Sequence, residues 1–288
     1  MKPAAYHPAK VSKGPNSMLD DAEPCLVGRR AIEDLGRGAP LAALGIRMAR
    51  TADIARLAKG TGHGAIWVDL EHSTMSVDTA ASICAAAFDL GLLPLVRVPE
   101  RDLGVIGRLL DGGALGIIAP RIETVEEAAA IVSACRFPPQ GHRSAVATLP
   151  HIGYRRMPAG EFQALMNRAT IVKILIESPR GIDNLDAIAS LPGVDLIGIG
   201  SNDLAAELGV PGDVQHPKVR AAHDAALAIC LSKGIPIAVG GIGDPKYAAE
   251  LIGRGAAPFL FTGIDTDLLQ AVAQDRITRA LASLKPTA

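Results

Sequence analysis

The sequence predicts an α/β protein built as one (β/α)8 barrel of the TIM type, and three observations carry that prediction. Eight apolar runs of strand length recur along the chain, segments with helical spacing separate them, and 288 residues at 49 % hydrophobic content suit one large core with no linker dividing it. An open doubly wound sheet satisfies the same alternation. Eight strand-helix units in a chain of this length favour the barrel.

The elements follow in order. Residues 1–38 read as an N-terminal arm, poorly structured, with Pro3, Pro8, Pro15 and Pro24 and no continuous apolar stretch, so neither a signal peptide nor a membrane anchor is expected there. The barrel domain takes 39–288. Its strands are read at ALGIR (43–47), AIWVD (65–69), LPLVR (93–97), LGIIAP (115–120), TIVKILIE (170–177), DLIGIG (195–200), PIAVGG (236–241) and FLFTG (259–263). Between the second and third, SVDTAASICAAAFDLG has Ser76 to cap a helix and Gly91 to stop it. In TVEEAAAIVSACR, Thr124 and Glu127 form a capping box. The connection from Phe137 to Ala169 is far longer than a helix-to-strand link needs, and its Arg143, His151, Tyr154, Arg155 and Arg156 suggest an interface with a neighbouring subunit.

Composition excludes several classes of partner. A formal net charge of −1 and a pI near 6.7 provide no electrostatic footprint for nucleic acid or an anionic membrane surface. Aromatic residues make up only 3 % of the chain, which argues against base- or sugar-stacking platforms. Apolar runs such as ICAAAF end well short of the ~20 residues a membrane span requires. Cys25, Cys84, Cys135 and Cys230 are scattered without a CxxC or zinc-type spacing, as expected of free buried thiols in a reducing compartment, the cytoplasm.

In a parallel barrel the strand interiors are apolar, and polar chemistry gathers at the C-terminal strand ends, which share one mouth. Arg47 ends the first strand, and VDLEHS places Asp69, Glu71 and His72 at the end of the second. Arg97 ends the third, Glu177 the fifth, and the sixth leads through Ser201 and Asn202 to Asp203. Glu177 closes the longest apolar run, where a bare carboxylate is costly to bury. With Asp203 at the adjacent strand end, it would give paired oxygen ligands suited to Mg2+ or Mn2+. Each residue also has a plainer role open to it: an ion pair of Glu177 with Arg97 or Lys173, a helix N-cap for Asp203, a structural salt bridge for Arg97, a surface loop for His72. Lys173, the lysine inside a strand, reads as facing outward toward a helix.

Taken together, VDLEHS, PLVRVP, LLDGGALGIIAPRIET, FPPQGHRS, IESPRGIDNLDAI and GIGSNDLAAELG resemble the HpcH/HpaI aldolases, metal-dependent class II pyruvate aldolases, over roughly residues 40 to 270. The resemblance implies reversible cleavage of a 4-hydroxy-2-oxo acid to pyruvate and an aldehyde. It implies a divalent metal held by Glu177 and Asp203 (Mg2+ first, Mn2+ or Co2+ as options), His72 as base, Arg97 as stabiliser of the enolate oxygen, and Asp111 of LLDGG as the partner of His72, with Asp69 a rival. The backbone around Ser201 and Asn202, beside Asp203, would receive the substrate carboxylate. It also implies a homo-oligomer, a hexamer or trimer, since these aldolases are commonly hexamers built from dimers that exchange C-terminal helices. The chain departs from the family pattern at Leu175, usually a substrate-touching glutamine, at Ser201, usually a proline, and at Arg121, often apolar. Competing readings are an acyl-CoA lyase of the malyl-CoA or citramalyl-CoA type, and a phosphate-binding barrel isomerase using GGIGD and TGIDTD.

Overall fold

The computed structural model describes residues 23–146 and 148–284. All eight expected strands form: β1 Leu41–Ile46, β2 Ala65–Asp69, β3 Leu93–Arg97, β4 Gly116–Ala119, β5 Ile171–Ile176, β6 Leu196–Gly200, β7 Ile237–Gly240 and β8 Phe259–Ile264. They pair in parallel in the order β7-β6-β5-β4-β3-β2-β1-β8. No ladder joins β7 to β8 among the described residues. The wall is nearly closed there by a 2.7 Å hydrogen bond from the Ala257 N–H to the Ile237 carbonyl and by the Phe261 ring, which lies against Gly240. Register sets which side chains share a level: Asp69 stands beside Arg97, and Leu175 beside Gly198.

Helices cover the wall, and their ends follow local rules. In the helix Val77–Asp89 the Ser76 hydroxyl accepts from the Thr79 N–H, and Gly91 follows at φ +70°. The helix Val125–Cys135 starts with the complete Thr124/Glu127 capping box.

The arm divides differently from the sequence reading. Residues 1–22 lie outside the described residues, but 23–36 are ordered as α1 Glu23–Val27 and α2 Arg29–Gly36, which bury Cys25, Ile32 and Leu35 against the floor of the barrel. Gly28 makes the approach possible, because a Cβ there would lie 2.3 Å from the Ala169 carbonyl oxygen. Arg29 and Arg136 each place a guanidinium nitrogen 2.8 Å from opposite oxygens of Asp195, and the Val172 N–H adds a third donor at 2.9 Å. Removing that carboxylate strands the buried Arg136. Asp195→Ala is therefore expected to cost about 3–5 kcal/mol, read as a lower denaturant midpoint.

The long connection also departs from expectation. It folds back on its own barrel through a 3-10 turn, Pro150–Ile152, and the helix Ala159–Ala169. His151 is buried and bonds the Ala114 carbonyl at 3.1 Å, and the buried Arg143 stacks on Phe137. These two serve the chain's own packing, whereas Tyr154, Arg155 and Arg156 remain exposed. The C-terminal helix Asp265–Ala282 buries no residue at all and exposes Leu268, Leu269, Val272, Ile277 and Leu281. Among the described residues no helix is long and apolar enough to cross a membrane.

Candidate active site at the barrel mouth

Asp69, the last residue of β2, organises one side of the mouth. Arg97 donates to it twice, Nε at 3.0 Å and Nη2 at 2.7 Å, while Arg47 donates through Nε at 3.0 Å and Nη2 at 2.9 Å. The N–H groups of Glu71 and His72 close on the same carboxylate at 3.1 and 3.2 Å. Burial alone would raise the Asp69 carboxyl, but these donors, Arg97 foremost, hold it below the ordinary range. Asp69 is thus occupied as a hub by two guanidinium groups and two backbone N–H groups. Arg97 spends its third contact on Glu71 (Nη1–Oε2 3.0 Å) and stacks over Trp67, which leaves one N–H on each terminal nitrogen for a ligand. His72 stands 55 % exposed with Nε2 3.6 Å from Glu71 Oε2. Glu71 is the carboxylate that its own chain places beside it.

Glu177 occupies the other side, 4 % exposed. One oxygen accepts from the Arg121 N–H at 2.8 Å, and Arg121 holds a left-handed φ of +50° to aim that N–H. The second oxygen faces Gly200, where a Cβ would collide with it at 2.3 Å. Asp203 lies in the first turn of the short helix Ser201–Glu207 that continues directly from β6. Desolvation pushes Glu177 up to about 7; the Arg121 N–H opposes this, Asp203 and Glu71 add to it, and Arg97 opposes it again. A buried carboxylate raised by two neighbouring carboxylates is a site short of positive charge. Hard oxygen donors on only two adjacent strand ends leave coordination positions for substrate and water, so the donor set fits Mg2+ or Mn2+. Among the described residues no cluster of three or more His, Cys, Asp or Glu could hold a metal.

This burial has a measurable consequence without metal. Since the folded-state carboxyl titrates above its ordinary 4.5, the folded chain holds the extra proton between about 4.5 and 7, and stability falls as pH rises through that window. The expected loss is at most about 3 kcal/mol. Glu177→Gln should flatten the decline, measured by thermal unfolding in EDTA at either end of the window.

Ser201 is fully buried, with its hydroxyl 3.1 Å from His223 Nε2; His223 Nδ1 lies 2.8 Å from the Tyr247 hydroxyl. This chain pins the start of the Ser201 helix to the next two helices, a role for Ser201 that the sequence reading lacked. Asp265 was missed as well: its carboxylate accepts from the N–H groups of Arg47, Met48 and Ala49 and shapes the loop after β1. Lys173 corrects the reading in the other direction. It points into the barrel and lines the same cavity of ≈ 610 Å3 as Arg47, His72, Arg97, Glu177 and Asp203.

Asp111 is not brought to His72 within the chain. It ends the helix Gly104–Asp111, which runs back from β3, so it sits where the strands begin, and its carboxylate pairs with the buried Arg143 at 2.8 Å. The length of β3 alone, on the order of 15 Å, separates the two faces.

A barrel whose carboxylates, arginines and histidine meet at the C-terminal ends of the strands has the layout of a barrel enzyme, and the comparisons give its family. The model of the HpcH/HpaI aldolase/citrate lyase family matches residues 48–271. The chain is 36 % identical over 246 residues, 84 % of its length and 91 % of the relative's, to the 4-hydroxy-4-methyl-2-oxoglutarate aldolase tasA of Hapsidospora irregularis. It is also 36 % identical over 236 residues, 81 % of its length and 88 % of the relative's, to the aldolase of the same name, cghB, of Chaetomium globosum. The crystal structure of an HpcH/HpaI aldolase from Desulfitobacterium hafniense superposes with a TM-score of 0.81 at 24 % identity, covering 88 % of this chain and 96 % of that one, which establishes the shared fold. The chain belongs to the HpcH/HpaI aldolase/citrate lyase family.

Proposed function

We propose that the protein cleaves a 4-hydroxy-2-oxo acid reversibly to pyruvate and a carbonyl product, with a divalent metal held by Glu177 and Asp203. The observation that carries this reading is the pairing of a buried, charge-deficient Glu177 with Asp203, opposite an Arg97 that retains free donors, in a chain of this family. When bound, the metal supplies Lewis acidity to the 2-oxo acid. Arg97, fixed by Asp69 and Glu71, directs its remaining N–H groups at the oxygen where enolate charge develops. His72 takes the proton from the 4-hydroxyl and returns one in the reverse direction. The N–H groups of Ser201 and Asn202, with no side-chain cap of their own, receive the substrate carboxylate. Relatives named as aldolases at 36 % identity favour this activity over acyl-CoA cleavage.

Assembly belongs to the same reading. A carboxylate on the far face of its own barrel can meet an imidazole at the mouth only in another copy, so Asp111 partners the His72 of a second subunit. The C-terminal helix with no buried residue and the exposed Leu260 of β8 support exchange of that helix between copies. The test of the activity is release of pyruvate from 4-hydroxy-4-methyl-2-oxoglutarate and from 4-hydroxy-2-oxopentanoate, followed with a coupled dehydrogenase, with Mg2+ or in EDTA. Cleavage in Mg2+ and its loss in EDTA are expected; no cleavage of either compound with any divalent metal would refute the reading.

A further inference from the structure

Lys173 is a buried cation that the cleavage mechanism leaves unused, and unlike the buried Arg136 and Arg143 it has no carboxylate partner among the described residues. It is 1 % exposed, and among the described residues its ammonium has no hydrogen-bond acceptor; it lies 4.5 Å from the centres of both the Phe259 and Phe261 rings. Its side chain crosses the barrel from β5 toward β8. It also climbs one level: a Cβ on Gly198 would lie 2.7 Å from Lys173 Cε and 3.5 Å from Nζ, and Gly198 is level with Leu175, not with Lys173. The absence of a side chain at Gly198 is what lets the ammonium rise.

Two residues further along the same strand, Gly200 marks the level of the Glu177 carboxylate. The ammonium is therefore about 7 Å below the carboxylate layer, from the ~3.3 Å rise per strand residue. At the ammonium's own level the wall is Leu175, Gly198 and Ala238, which carry no polar side-chain atom, and these residues line the same cavity as Glu177. Aromatic faces hold a cation but cannot satisfy three N–H groups, so the charged form of an amine enclosed here is stabilised by an arriving anion.

We propose that Lys173 receives the distal carboxylate of a 4-hydroxy-2-oxo diacid, making the carbonyl product of cleavage a 2-oxo acid instead of a simple aldehyde. This rests on the functional reading above and sharpens its substrate class. The five-carbon backbone of a 2-oxo diacid, held by its 2-oxo acid end at the Glu177 level, spans a distance comparable to the separation of the two levels. Burial, with Arg97 nearby, lowers the free amine to about 7, and an arriving carboxylate favours the charged form.

The test compares 2-oxoglutarate, an inert five-carbon diacid, with 2-oxopentanoate, its monoacid counterpart, by calorimetry on the Mg2+-loaded protein. The wild type should bind the diacid about 10- to 100-fold more tightly, the range of one charged hydrogen bond, and Lys173→Met should bring the two within about twofold. Gly198→Ala, which crowds the side chain without removing its charge, should reduce the preference in the same direction and serves if the methionine variant does not fold. Equal binding of the two acids by the wild type would overturn the proposal, as would a preference that survives both substitutions. Borohydride trapping of pyruvate on Lys173 would also overturn it, by showing a nucleophilic amine. A Lys173-dependent diacid preference in a protein that cleaves no 4-hydroxy-2-oxo acid would uphold the subsite while refuting the aldolase activity.

Discussion

Glu177→Ala and Asp203→Ala are each expected to lower lyase turnover by about 10^3-fold or more, the effect of several kcal/mol of lost transition-state stabilisation. The two should differ in what else they change. Glu177 is enclosed by the Arg121 N–H and by Gly200, so its truncation leaves a cavity and an unpaired donor, whereas Asp203 sits on a helix turn at the mouth and its loss should leave the fold intact. Glu177→Gln keeps the volume and isolates the charge. Calorimetric titration of Mn2+ into each variant checks the cause: loss of binding in step with loss of turnover is expected, and full wild-type turnover in excess EDTA would rule out the metal reading altogether.

The barrel and half of this site were legible in the sequence for physical reasons. Parallel strands covered on both faces read as apolar runs, and a carboxylate ending the longest of them, Glu177, stands out because burial makes it anomalous. The capping residues Ser76 and Thr124 were equally readable, since a cap is a local interaction. Lys173 was misread although the signal existed: it is four residues before Glu177, and in a strand that spacing puts both on the same face, so an inward Glu177 requires an inward Lys173. Other features had no local trace. The left-handed Arg121, the room Gly200 leaves for Glu177, and the capture of Asp69 by two arginines depend on contacts between strands distant in sequence. The connection from Phe137 to Ala169 was long enough to suggest a partner, yet its Phe137, Leu149, Ile152 and Phe162 find their burial under their own barrel.

His72→Ala should reduce aldol cleavage by about 10^2-fold or more while Mn2+ affinity stays at the wild-type value, because a general base contributes to the barrier and not to the metal site. The carboxylate that partners this imidazole distinguishes two arrangements. Glu71 is beside His72 in its own chain, whereas Asp111 is on the opposite barrel face and paired with Arg143. If Asp111 acts on the base of a second copy, Asp111→Asn shifts the pH profile of cleavage, and the two defects complement one another. In a C2 dimer mixed at random from His72→Ala and Asp111→Asn chains, half the dimers are heterodimers, each with one site carrying both intact groups. Activity should then recover to about a quarter of wild type. The measurement is the cleavage rate after the two variants are unfolded together and refolded. No recovery, together with a pH profile moved by Glu71→Gln and not by Asp111→Asn, would make Glu71 the partner of the His72 base and confine each active site to a single chain.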